Sequence, residues 1–248
     1  MRMRKRILMM FRVAATVVLF GAVTALAQNV NQGVAPPNSK PYGKTYGEWA
    51  AAWGQWNEAI PLGVNPANDP SGLQGAINQS GPVWFLAGTF GGSATRQATI
   101  PAGTAIFFPL IDYLDDYPCP NTSYPSLSKE SLEAFLIDDA AKTINQATGL
   151  EATLAPDHQP PQPLSSFRFH SKLFSFTAAA DLLTVDPCVT GSPQLAVVDG
   201  YWLLLKPLSP GTHTLTFGGT LPQVPFRTEV TYHLTIVGEG GGIRPDHD

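Results

Sequence analysis

Near the end of the chain, apolar and polar residues alternate without a break. Val230, Tyr232, Leu234 and Ile236 take one parity, and Glu229, Thr231, His233 and Thr235 take the other. A period of two is the side-chain period of a β-strand, so this stretch lays one face on a core and the other in water. Just upstream, His213, Leu215 and Phe217 alternate with Thr212, Thr214 and Thr216. A long apolar run over 196–208 passes through Tyr201, Trp202, Leu203, Leu204 and Leu205. Ser209-Pro210-Gly211-Thr212 joins the two as a type II turn, with Pro at its second place and Gly at its third. The last third therefore reads as antiparallel sheet.

The rest of the chain has to supply partners for that sheet. Further strand signals lie at 83–87, 97–100, 105–111 and 150–154, and again from Phe167 onward. There the apolar phase slips at Leu173-Phe174, as at a bulge or bend. Two helices interrupt the strands. Over 45–60, Tyr46, Trp49, Trp53, Trp56 and Ile60 follow the helical repeat as an aromatic stripe. Thr45 and Glu48 suit a capping box, and Pro61 ends the helix. Over 128–146, Ser128 caps a helix with Leu132, Phe135, Leu136, Ala140 and Ile144 on its apolar face, and Gly149 stops it.

Strands and helices do not alternate in βα units, which argues against a Rossmann fold or TIM barrel. The expectation is a mainly β fold: an antiparallel β-sandwich, immunoglobulin-like or jelly-roll-like, with two accessory helices in a single domain over 44–237. The 23 Gly and 23 Pro suit such a turn-rich chain. Residues 28–43 read as a flexible N-terminal arm, and 238–248 as a disordered tail.

The N-terminus sets the compartment. Arg2, Arg4, Lys5 and Arg6 precede an apolar run that ends in Ala25-Leu26-Ala27. This is the pattern of a signal peptide over 1–27, too short in its clean apolar part to span a bilayer as an anchor. The expected protein is secreted or periplasmic, with no transmembrane anchor after cleavage. Removing the leader takes five basic residues and leaves ten against nineteen acidic, a net charge of −9. That excludes nucleic acid as a natural partner, since such binding rests on neutralising phosphates. In an oxidising compartment the two cysteines, Cys119 and Cys188, read as a disulfide.

Three segments carry a resemblance. They are Gly81-Pro82-Val83-Trp84-Phe85-Leu86-Ala87-Gly88-Thr89, then Ile100-Pro101-Ala102-Gly103-Thr104-Ala105-Ile106-Phe107-Phe108-Pro109, then Asp199-Gly200-Tyr201-Trp202 with Pro207-Leu208-Ser209-Pro210-Gly211-Thr212-His213. The chain resembles a family of bacterial signal-peptide-bearing secreted proteins with no assigned activity. The resemblance implies export and brings no chemistry with it. In the family pattern Cys often stands where this chain has Gly75 and Ala98, which implies that a second bridge is lost here as a unit.

Four carboxylates are the candidates for chemistry. Asp112, Asp115 and Asp116 lie close together in what reads as an acidic loop over 112–125, and Asp199 opens the Asp-Gly-Tyr-Trp strand. As paired carboxyls they could hydrolyse a glycosidic bond. As oxygen ligands, Asp112, Asp115 and Asp116 could hold a structural Ca²⁺, although the EF-hand spacing is absent. Trp49, Trp53 and Trp56 offer either a core stripe or a stacking platform for a sugar. No zinc motif, serine elbow or phosphate loop is present. The leading expectation is a non-catalytic binding or envelope-associated module without a cofactor, its partner a glycan, a peptide or an envelope protein. The alternative is a secreted hydrolase built on the carboxylates at 112–116.

Overall fold

The computed structural model describes residues 33–120, 124–156 and 163–238. The expected signal peptide at 1–27 and nearly all of the expected tail lie outside the described residues. Among those residues, no helix is long and apolar enough to cross a membrane.

Among the described residues, nine strands form two sheets. The first sheet has the order β1 (Val83–Phe85), β3 (Ala105–Tyr117), β7 (Gln194–Leu205) and β5 (Arg168–His170), with β6 (Phe174–Phe176) also on β7. The second has the order β2 (Gly92–Pro101), β9 (Phe226–Val237), β8 (Gly211–Leu221) and β4 (Thr148–Ala155). Both are mixed sheets. β1 runs parallel to β3 and β2 runs parallel to β9, so the expected all-antiparallel sandwich holds only in part. A parallel neighbour has the same side-chain period as an antiparallel one, so alternation could not tell them apart. At the phase slip at Leu173-Phe174, the register on β7 shifts by one residue between β5 (His170↔Asp199) and β6 (Phe174↔Ala196), as at a bulge or bend.

The helices form where their signals lie. α1 (Tyr46–Glu58) starts at a complete capping box: the Glu48 N–H donates to Thr45 Oγ1 at 3.2 Å, and the Thr45 N–H donates to Glu48 Oε2 at 2.7 Å. α2 (Lys129–Ile144) is capped by Ser128, whose hydroxyl accepts from the Ser131 N–H.

The first sheet is buried on both faces. On one face lies α1, with Trp53 against Trp202 at 5.4 Å between ring centroids and Phe107 stacked on Trp202 at 5.3 Å. On the other lies the second sheet, where Phe108 meets Phe217 at 4.5 Å. Beside that sheet, α2 packs Leu132 and Leu136 on Val197. The segment expected to be a flexible arm is anchored where it is described. Val34 bridges Leu205, the Ala35 N–H donates to the Leu204 carbonyl at 2.9 Å, and Gly33 accepts from the Lys206 N–H at 2.8 Å.

One irregularity positions everything that follows. The register of β3 on β7 slips between Pro109 and Ile111. Before the slip, odd-numbered Phe107 faces α1. After it, Ile111 packs with Ile144 and Leu221 on the opposite face. A one-residue slip exchanges the two faces of a strand. Asp112, Leu114 and Asp116 therefore point toward α1, while Tyr113 and Asp115 point toward α2. Gly54 of α1 leaves room for this face, since a Cβ there would come within 3.4 Å of Leu114 and Phe174.

Candidate functional site

The acidic stretch expected as a loop is the second half of β3, paired with β7 through Tyr117↔Leu195. Propensity argues against strand here, because Asp is depleted in strands. The pairing with apolar β7 overrides it.

Beside this half of β3 opens a cleft of about 530 Å³, lined among others by Asn57, Glu58, Asp112, Asp115, Asp116 and Asp186. Glu58 comes from the last turn of α1 and Asp186 from the turn before Cys188. The Cys119–Cys188 disulfide joins that turn to the end of β3, and the Asp116 carboxylate lies within 4.8 Å of both sulfurs. Those sulfurs are bonded to each other, so the group is not a metal centre. Gln194 braces the junction, donating to Asp116 Oδ2 at 2.7 Å and to the carbonyls of Pro118 and Cys188.

The carboxyls in this cleft are poorly compensated. Burial pushes Asp112 up to about 7, and no hydrogen bond to its carboxyl is found among the described residues. Burial raises Asp116 to about 7 as well; the charges of Asp186 and Asp115 add to this, and Gln194 opposes it. Burial raises Glu58 to about 7; Asn57, whose Nδ2 donates to Glu58 Oε1 at 3.1 Å, opposes this, and the charges of Asp186 and Asp112 add to it. Asp186 is raised by burial, against the hydrogen bond it accepts from the Cys188 N–H. On the α2 face, Asp115 rises to about 6 through burial, although Tyr124 donates to its Oδ1 at 2.7 Å. No Lys, Arg or His is among the described residues lining the cleft. Two side-chain oxygens of lining residues are buried without a partner: Asn57 Oδ1 and Asp115 Oδ2, on residues 2% and 3% exposed. Such groups cost free energy until something donates to them.

The structure brings together only part of the expected set. Asp112, Asp115 and Asp116 all line the cleft, Asp115 from the far side of the strand. Asp199 is elsewhere: it faces α2 and holds Arg168 through two hydrogen bonds, one of them 2.7 Å. Its role as a catalytic partner falls, because its charge is already paired. The stacking platform falls too. Trp49, Trp53 and Trp56 are at most 7% exposed, and their indole N–H groups donate to the carbonyls of Pro41, Leu86 and Ile77. Of the three, Trp53 alone is among the residues that line the cleft, and it is 5% exposed.

Sequence reasoning missed Glu58, Asn57 and Asp186. Glu58 did carry a signal, since a carboxylate in the last turn of a helix opposes the macrodipole and needs a reason to be there. Asp186 was within reach as well, because it stands two residues from a cysteine expected to bridge to the acidic stretch.

The wall opposite β3 is held by a different charge. Arg96 of β2 is 1% exposed, and each of its three side-chain nitrogens donates within the protein. Nε donates to the Asp69 carbonyl at 2.7 Å and Nη2 to Ala67 at 3.0 Å. Nη1 donates to the Ala87 and Gly88 carbonyls and to the Tyr232 hydroxyl. Ala67 and Gly88 both line the cleft.

No family model matches the chain, and no curated protein matches it in sequence. Two solved structures show a faint likeness. One is PbICP-C, solved in complex with falcipain-2: 11% identity, TM-score 0.22, covering 63% of this chain and all of that one. The other is the cysteine protease inhibitor EhICP2 from Entamoeba histolytica: 13% identity, TM-score 0.21, covering 62% of this chain and 96% of that one. At those TM-scores the superposed backbones share too little to decide fold or function.

Proposed function

We propose that this chain is an exported, non-catalytic binding module whose cleft receives a positively charged group of its ligand. The observation that carries the reading is the lack of compensation: Glu58, Asp112, Asp116 and Asp186 converge with a buried, unpartnered Asn57 Oδ1 and no cation among them. A bound ammonium or guanidinium supplies both the charge and the donors that the site lacks. Export is supported by the N-terminal pattern and by the Cys119–Cys188 bridge. A glycan read by stacking is disfavoured, because the Trp rings are consumed by the core.

The reading is tested by calorimetric titration of the mature chain with agmatine, N-acetyl-lysine methylamide and CaCl₂ at pH 8 and pH 6. The organic cations are expected to bind at pH 8. They should bind about tenfold more weakly at pH 6 for each proton the site must release. Asp112→Asn with Asp116→Asn should abolish binding. No binding of any cation, or binding indifferent to the double substitution, overturns it. Binding of Ca²⁺ alone would make the site a hard-metal centre.

One observation favours the hydrolase reading: Asp112 and Glu58 are neighbours, both raised to about 7, as an acid–base pair requires. Turnover of a glycoside or ester panel that disappears in Asp112→Asn would establish it in place of the binding module.

A further inference from the structure

The outer edge of β3 is unpaired beyond Phe107. β1 pairs with it only as far as Phe85↔Phe107, and the last backbone bond on that side among the described residues runs from the Leu86 N–H to the Phe107 carbonyl. The direction of the backbone groups farther along follows from the partner strand. Val198 of β7 spends both of its backbone groups on Ser171. Its carbonyl accepts from the Ser171 N–H at 2.8 Å, and its N–H donates to Ser171 Oγ at 3.0 Å. Ser171 follows β5, on the side of β7 away from β3. Leu114 stands opposite Val198, so this is a non-hydrogen-bonded pair of the antiparallel ladder. The N–H and C=O of Leu114 therefore point out of the sheet edge. By alternation so do those of Asp112 and Asp116, and they point into the cleft that these residues line.

The two sides of that edge differ in chemistry. Toward α1 stand the side chains of Asp112 and Asp116, with Glu58 and Asp186 around them. Toward the second sheet stand the apolar rings and methyls of Phe90, Val224 and Phe226. Phe90 and Val224 are 37% and 48% exposed, more than apolar groups of a closed core. An added strand alternates its side chains between these two sides. A cationic residue on one parity would lie directly opposite Asp112 or Asp116, the favourable arrangement for a cross-strand charge pair. Apolar residues on the other parity would cover Phe90 and Val224.

We propose that an extended segment of a partner protein adds to the free edge of β3 as a further strand of the first sheet, placing a Lys or Arg side chain opposite Asp112 or Asp116. The inference rests on the cationic reading above and specifies the ligand: a peptide whose apolar residues flank a cation at strand spacing. Backbone bonds supply affinity in this mode and the alternate side chains supply choice. The register slip at Pro109, which has no N–H to offer, marks one end of the docking stretch.

The test uses the mature chain and two libraries of acetylated peptides of about seven residues. Their flanking positions are randomised among apolar and Thr residues, and the central residue is Lys in one and norleucine in the other. The Lys library should yield binders at least tenfold tighter than its norleucine counterpart. For the tightest binder, hydrogen exchange should show protection of the Asp112, Leu114 and Asp116 amides. N-methylation of the peptide at alternate amides of one parity should weaken binding at least tenfold, and at the other parity should not. If Lys peptides and agmatine bind but these amides stay unprotected and N-methylation is neutral, strand addition is overturned and the cationic reading stands. If Lys and norleucine members bind alike, or neither library yields a binder, the cationic reading and the strand fall together.

Discussion

Arg96 and Asp112 are both charged residues borne on strands, Arg96 fully buried on β2 and Asp112 half-buried on β3, and the fold treats them in opposite ways. The Arg96 guanidinium meets four backbone carbonyls and a tyrosine hydroxyl, so each of its three nitrogens is paired within the protein. The Asp112 carboxyl meets no donor among the described residues, and its neighbours Glu58, Asp116 and Asp186 carry charge of its own sign or none. Burial of charge is therefore structural in one place and unfinished in the other. The first fixes the loops at Ala67 and Gly88 that form one wall of the cleft. The second holds the opposite wall in a state that a cation would complete.

The comparison can be broken at its structural end first. Arg96→Met orphans the carbonyls of Ala67, Asp69 and Gly88, while Ala87 keeps its bond from the Tyr232 hydroxyl, and should cost about 4 kcal/mol, read as a large fall in the midpoint of urea unfolding. Arg96→Lys should cost less, because one ammonium reaches some of the same carbonyls but lacks the planar fork. A loss under about 1 kcal/mol for Arg96→Met would show that the contrast with Asp112 is not real.

Next in size is the bridge. Replacing Cys119 and Cys188 by Ala should cost about 3 kcal/mol, because the bridge closes a long loop of the unfolded chain. It should also weaken cation binding by more than the stability loss accounts for, since Asp186 is then no longer joined to the end of β3. Unchanged affinity in a folded, bridgeless variant would remove Asp186 from the site.

The pH dependence is smaller. A carboxyl raised from its ordinary value near 4 to about 7 makes the folded state hold more protons than the unfolded state between those values. Its stabilising contribution is thus complete below about pH 4 and lost as pH rises through 7. The ligand-free protein should lose on the order of 2 kcal/mol between pH 5 and pH 8, followed by thermal unfolding. A bound cation should cancel that loss. The smallest effect is expected on the α2 face. Tyr124→Phe removes the one donor to Asp115 and should cost about 1 kcal/mol, with Asp115 titrating still higher by NMR.

How much of this could be read from the sequence depended on whether the signal was local. The alternation at Val230, Tyr232, Leu234 and Ile236 returned as four buried positions of β9, and the Thr45–Glu48 capping box returned as the start of α1. Cys119 and Cys188 are bonded to each other, as expected from the sequence. The second half of β3 was hidden, because three Asp residues weaken a strand locally and only pairing with β7 restores it. The cleft was hidden for a related reason. Its floor depends on one slipped residue near Pro109, which decides whether Asp112 and Asp116 or Tyr113 and Asp115 face α1. Its other acids come from distant positions that only the folded chain brings close.

The claim that the cleft stores unfinished charge is tested most directly by thermal unfolding of the ligand-free protein and of Asp112→Asn with Asp116→Asn, at pH 5 and pH 8. Asparagine at 116 still accepts from Gln194, so the substitution removes charge and little else. The account predicts a variant more stable than wild type at pH 8, by about 1–3 kcal/mol, and within about 1 kcal/mol of it at pH 5. A variant destabilised equally at both pH values would contradict it, because these carboxylates would then be compensated parts of the fold, as Arg96 is.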